Sequence, residues 1–183
     1  MDEEIRQCVH MAICAFALCC LYVAGRELSA LLFLLGAVAA LFLLQLLYLG
    51  AKLPVLTHFF GILKRRQKDH DLGLIWYLAG LCIIFSFLPS TQKILVATIA
   101  LGIGDGLSTL VGMKGTHHLP YNRKKTLEGM CAIFFASCLP AVYFFGAFGV
   151  AFGIVVAVVE SLPLGLDDNL SIPVAAVVAL SLI

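Results

Sequence analysis

An all-α polytopic bundle, with about six or seven transmembrane helices, is the architecture this sequence predicts. Three observations predict it. Of 183 residues, 62% are hydrophobic and only 13% charged, whereas soluble domains are about half apolar and about a quarter charged. The mean hydropathy is +1.04. Several apolar runs approach or exceed the roughly 20 residues of helix that cross a hydrocarbon core about 30 Å thick. The length suits a single integral-membrane domain over residues 1–183, with no separate soluble module.

The runs follow in order. The first covers about 9–24 and the second about 28–49, with only Gly25-Arg26-Glu27 between them, a gap short enough for a tight helical hairpin. The third covers about 72–88, with Trp76 and Tyr77 near its start as an expected interfacial belt. The fourth spans about 94–113, the fifth 127–145 and the sixth 147–162. The last, about 172–183, is roughly half a span, compatible with a half-crossing or with a homodimer contact. The acidic start, Met1-Asp2-Glu3-Glu4, lacks the positive n-region of a secretory signal, so the first run reads as a retained helix.

Charge is distributed unevenly among the connecting segments. Arg6, the group Lys52, Lys64, Arg65, Arg66 and Lys68, and the group Lys114, Arg123, Lys124 and Lys125 all fall on one face when the chain crosses seven times, leaving Arg26 and Lys93 on the other. The positive-inside rule makes the basic face cytoplasmic. Asp105, Glu128, Glu160, Asp167 and Asp168 then share that face. The basic residues are not interleaved with stacking aromatics, so nucleic acid is not an expected partner. The seven cysteines form no CxxC pair and read as small hydrophobes.

Three stretches carry chemistry. Asp105 lies inside an apolar run, where a carboxylate costs about 2.5–3.5 kcal/mol on insertion scales and needs a compensating cation or polar cavity. Gly102, Asp105, Ser108, Thr109 and Gly112 fall at helical spacings that make one small polar face; the alternative is a small-residue helix interface with a structural aspartate. Next, Arg123-Lys124-Lys125 precedes Thr126, a fitting N-cap. Three cations ahead of a capped helix start make an anion site, although no GxxxxGK[ST] loop is present. Finally, Glu160 ends the small face of Gly149, Gly153 and Ala157, and Asp167-Asp168-Asn169 follows, with Pro173 read as a first-turn proline. Capping explains one of these acids. Two acids and a nearby glutamate suit Mg2+, which takes one or two carboxylates beside phosphate. His58, His70, His117 and His118 read as solvated and carry no assignment.

Gly104-Asp105-Gly106-x-Ser108, then Gly112, then Lys124-Lys125-Thr126-x-Glu128-Gly129 resembles the nucleotide-binding signature of the dolichol kinase, phytol kinase and CTP-dependent diacylglycerol kinase family. Glu160 with Asp167-Asp168-Asn169-Leu170-x-x-Pro173, and the opening Glu3-x-x-Arg6-x-x-x-His10, resemble further parts of it in the same order. Gln7 and the long link from Gly112 to Lys124 depart from the family's pattern. The resemblance implies a membrane kinase that uses CTP and Mg2+ to phosphorylate the hydroxyl of a lipid alcohol such as a polyprenol, dolichol, phytol, geranylgeraniol or diacylglycerol. The compartment would be an endoplasmic reticulum or a prokaryotic plasma membrane.

The resemblance also implies residue roles. Asp105, Glu128, Glu160 and Asp168 would be catalytic, and Asp105, Glu128, Glu160, Asp167 and Asp168 would hold metal. Asp105, Ser108, Gly112, Lys124, Lys125, Thr126, Glu128 and Gly129 would contact nucleotide. Arg6, His10 and Asn169 would add polar contacts. Two rivals stand beside this reading. One is a CTP:phosphatidate cytidylyltransferase, disfavoured because no arginine follows Arg123. The other is a small transporter or structural subunit, disfavoured because no internal repeat is evident and the charges cluster at one face.

Overall fold

The computed structural model describes residues 2–50 and 73–183. The basic group Lys52 to Lys68, together with His58 and His70, lies outside the described residues. The described part is helical, with a lone bridge between His118 and Thr126. Among the described residues, three helical stretches are long and apolar enough to cross a membrane, namely Glu3–Leu46, Thr91–Gly112 and Leu127–Phe145. Three apolar helices are shorter, Gly73–Phe87, Phe148–Ser161 and Asp168–Ser181.

The first element, α1 (Asp2–Tyr48), is continuous except at Gly25, whose φ of 75° and ψ of 176° are not helical. Glycine alone adopts that conformation without a Cβ penalty. The break reverses the chain. Along α2 (Gly73–Phe87), His10 of the first arm stacks on Tyr77. On the second arm, Arg26 donates to the Leu88 carbonyl, Phe33 meets Phe85, and Gly36 faces Leu78. The arms therefore run in opposite directions, and the expected hairpin forms.

Tyr77 departs from its expected interfacial place. Its ring is fully buried and its hydroxyl donates to the His10 carbonyl at 2.9 Å. A tyrosine can enter a core when its hydroxyl finds a partner, and the backbone of α1 supplies one.

The third helix, α3 (Thr91–Gly112), starts at Ser90, whose side chain accepts from the Lys93 amide. Halfway along, Ala100–Gly104 forms a π-helical turn, immediately before Asp105. A π turn carries an extra residue per turn and changes the register between the helix before it and after it. The single small face expected from regular spacing is split as a result. Gly102 packs on Cys14, where an added Cβ would lie 2.2 Å from the cysteine Cβ. Asp105 and Ser108 are also buried, while Gly112 backs onto Thr126.

The remaining helices are α4 (Leu127–Phe145), α5 (Phe148–Ser161) and α6 (Asp168–Ser181). The α4 and α5 backbones approach through glycine: a Cβ on Gly149 would sit 2.2 Å from the Val142 nitrogen, and one on Gly153 would sit 2.7 Å from Cys138. Without a hydrophobic force between helices in lipid, such small-residue contacts supply close van der Waals packing. Asp167 caps α6 by accepting from the Asn169 amide, so α6 begins at Asp168 rather than near 172. Pro173 consequently sits beyond the first turn, inside the helix. Its missing N–H leaves the Asn169 carbonyl without its usual i+4 donor, and that carbonyl lies over Gly80 of α2. The shared core gathers Tyr77, Phe85, Leu101, Ile133, Phe152 and Ile172.

Candidate active site

The C-terminal ends of α3 and α5 and the N-terminal ends of α1, α4 and α6 meet at one end of the bundle. The 113–126 connection is fastened there. Asn122 donates to the Ser161 carbonyl at 2.9 Å, and the Tyr121 and Ser161 hydroxyls lie 2.9 Å apart. Thr126 caps α4, its hydroxyl accepting from the Gly129 amide. It also reaches the Gly112 carbonyl at 3.4 Å. The α3–α4 crossing is tight enough that a Cβ on Gly129 would lie 2.7 Å from the Ser108 carbonyl.

At this end Asp105, Glu160 and Asp168 each bring a carboxylate oxygen within 4.8 Å of the others. Asp105 and Glu160 are buried and Asp168 is half-buried. Each comes from a different helix. The π turn that ends at Gly104 sets Asp105 into the interior, Glu160 follows the face that packs on α4, and the Asp167 cap places Asp168 in the first turn of α6. Ser108 donates to Glu160 Oε1 at 2.5 Å.

Lys125 closes the group, with Nζ 2.5 Å from Glu160 Oε1 and 2.8 Å from Asp168 Oδ2. Burial disfavours its charge, but the two carboxylates more than offset that and hold its pKa well above the ordinary lysine value. The ammonium therefore stays charged beside the acids. A small polar pocket of about 210 Å³ adjoins it, lined by Lys124, Lys125, Ser108, Gly112, Gly129 and Glu160 among others.

The remaining candidates make their hydrogen bonds to groups other than the three acids. Glu128 faces the other way, accepting from the Thr116 amide at 2.9 Å and the His117 amide at 3.2 Å, with His117 Nδ1 at 2.7 Å. It organises the loop ahead of the lysines. Asp167 is occupied as a cap. Asn169 donates to the Gly73 carbonyl at 3.4 Å, tying α6 to α2. Arg6 pairs with Glu3, and His10 is buried on Tyr77 with its Nδ1 unbonded. Sequence reading left His117 unassigned and passed over Tyr121 and Asn122. Their partners, Glu128 and Ser161, are distant in the chain, and no local spacing marks such pairs.

Three hard carboxylate donors from three helices fit a divalent metal such as Mg2+ by donor chemistry. The position of Lys125 on two of them shows that the group attracts positive charge.

No family model and no solved structure matches the chain. Among curated proteins it is similar to farnesol kinase of Arabidopsis thaliana, 28% identical across 97% of this chain and 64% of that protein. It is 32% identical to a probable phytol kinase of Glycine max over 61% of this chain and 41% of the relative. It is 34% identical to a CTP-dependent diacylglycerol kinase of Eremothecium gossypii over 48% of this chain and 28% of the relative. The chain thus spans less than two thirds of each of these proteins. Relatives of these three names support a place for the chain in the polyprenol and lipid kinase family.

Proposed function

We propose that this chain is a multi-pass membrane kinase that transfers the γ-phosphoryl group of CTP to the hydroxyl of a lipid alcohol. The observation that carries the reading is the meeting of Asp105, Glu160, Asp168 and Lys125 beside a polar pocket, at one end of otherwise apolar helices. The named relatives support the same chemistry. The site would face the cytoplasm, on the charge asymmetry of the connecting segments. The chain would cross the membrane six or seven times, with α1 as two crossings.

Phosphoryl transfer needs positioning and charge neutralisation more than covalent chemistry. A bond forms between the lipid oxygen and the γ-phosphorus, the bond from that phosphorus to the β-bridging oxygen breaks, and CDP leaves. Asp105 is assigned to orient the hydroxyl and take its proton. Lys125 spans the carboxylates and the pocket, so its ammonium can shift from acid to phosphate. Lys124 adds a second phosphate contact, and Thr126 with the first amides of α4 supplies dipole and donors. Asp105, Glu160 and Asp168 would hold Mg2+, which supplies charge neutralisation on the phosphates. Glu128 is assigned to position the loop.

The test uses protein in detergent micelles with magnesium, α- or γ-labelled CTP, a panel of lipid alcohols and phosphatidate. Label from the γ position enters an alcohol, and Asp105→Ala abolishes it. Label from the α position in phosphatidate would instead establish a cytidylyltransferase. No transfer to any acceptor would return the transporter or structural reading.

A further inference from the structure

Between α5 and α6 lies a long apolar groove of about 670 Å³. Phe148, Ala151, Phe152, Val155 and Val159 line it from α5, at i, i+3, i+4, i+7 and i+11. From α6, Ser171, Val174, Ala175, Val178 and Leu182 repeat the same spacing. Each helix therefore presents one full stripe along its length. Ser171 supplies the one side-chain hydroxyl in the lining.

The groove has a head and a tail. The stripe of Ser171, Ala175, Val178 and Leu182 continues back by three residues to Asp168, the acid that shares the carboxylate group. On α5, Val159 is the groove's last contact and Glu160 the next residue, turned inward to Ser108 and Lys125. One end of the groove, walled by Leu164, Leu166 and Leu170, thus lies next along both helices to Glu160 and Asp168, and the other lies at Phe148 and Leu182. Eleven residues of helix separate those ends on each side, which at 1.5 Å per residue is about 17 Å. That matches one leaflet, half of a hydrocarbon core about 30 Å thick.

The geometry points to this groove as the seat of a single hydrocarbon chain, that of a lipid alcohol whose hydroxyl lies at the Asp168 end. The inference rests on the kinase reading for the hydroxyl's fate, and it names the substrate class as one-chain alcohols of about leaflet length. The groove is a single trough between one stripe from each helix, closed at its head end by Leu164 and Leu166 of the connection between them. The neighbouring apolar pocket beside Met130, Phe134 and Ile154 holds only about 150 Å³, too little for a second chain of that length. In lipid there is no hydrophobic gain on leaving the bilayer, so recognition depends on fit. Bulk placed in the groove should therefore exclude the chain.

A phytol analogue with a photoreactive diazirine near its tail, irradiated with the protein in micelles, reads the site without catalysis. Crosslinks mapped by mass spectrometry should fall on the tail half of the groove, near Phe148, Ala151, Val178 or Leu182, and be competed by phytol. Ala151→Phe and Val178→Phe, both at exposed positions in the tail half of the groove, should remove the label. They should raise KM for phytol about tenfold while kcat/KM for geraniol stays near wild type, as overpacking predicts. Matching thermal unfolding would show that the variants fold.

Labelling elsewhere overturns the groove assignment, as does phytol turnover unchanged by both fillings, and either result leaves the kinase reading standing. Equal kcat/KM for diacylglycerol and phytol overturns the one-chain class. Fillings that instead abolish a dimer, with no label in the groove, would assign it to a second copy. Competed label without any phosphate transfer would uphold the groove and remove the kinase reading.

Discussion

Replacing Lys125 by methionine keeps the apolar stem of the side chain and deletes its charge. It leaves Asp105, Glu160 and Asp168 within 4.8 Å of one another, with Glu160 only 1% exposed. Removing one member of a buried ion pair typically costs about 3–5 kcal/mol, because the partner is left as an uncompensated buried charge. The Lys125 side chain is 24% exposed, so water screens part of the loss and the lower end, about 3 kcal/mol, applies. For a chain of this size each kcal/mol moves the melting midpoint by about 2–4 °C, so the variant should melt about 6–12 °C lower. Tryptophan fluorescence of Trp76 during heating in detergent would read it, beside γ-phosphate transfer from CTP. Adding Asp168→Asn to Lys125→Met should recover part of the stability by removing one of the repelling acids, without restoring transfer. A single variant that melts with the wild type, or a double variant that melts lower still, would refute the electrostatic account.

Glu128→Ala should raise KM for CTP about tenfold through loss of its bonds to the Thr116 and His117 amides. The magnesium dependence should stay unmoved; a shifted magnesium midpoint would make Glu128 a ligand instead. Gly149→Ala should destabilise by at least about 1–3 kcal/mol, because its Cβ would meet α4 backbone at 2.2 Å. Gly165→Ala, whose Cβ would meet nothing but whose φ is 70°, should cost about 1 kcal/mol through backbone strain alone; thermal unfolding of the pair checks the contrast. With its folded pKa raised, Lys125 contributes stability that is full below the unfolded lysine value, about 10.4, and is lost only as pH rises through the folded value. The stability gap between wild type and Lys125→Met should therefore hold from pH 7 to about 10; closure between pH 8 and 9 would contradict it.

The helices were legible because their signals are local. Apolar length alone marked 127–145, the span that α4 occupies, and brought α2, α3 and α5 within a few residues of their ends. Thr126 as a cap and the Gly25 turn follow from the chemistry of one residue. Even the C-terminal boundary was encoded locally, by Asp167 accepting from Asn169, although a search for apolar runs overlooks it because α6 opens with polar residues.

Spacing could place five acids at one face but could not say which of them meet. Glu128 and Asp168 both stand in the first turn of a helix, yet one folds back onto Thr116 and His117 and the other reaches Lys125. That choice depends on how the helices cross. A π turn resets the register before Asp105, and glycine contacts bring α4 against α3 and α5. Lys124 and Lys125 are equivalent in the sequence; the fastening of the loop to Ser161 is what sends Lys125 inward to Glu160. Tyr77 looks interfacial by type and is core by position, since a carbonyl on α1 satisfies its hydroxyl. Residue type and spacing determined the membrane helices, their caps and the inventory of chemistry at one end. Tertiary structure alone decided which groups touch, because a side chain's direction is fixed by packing between segments that the chain holds far apart.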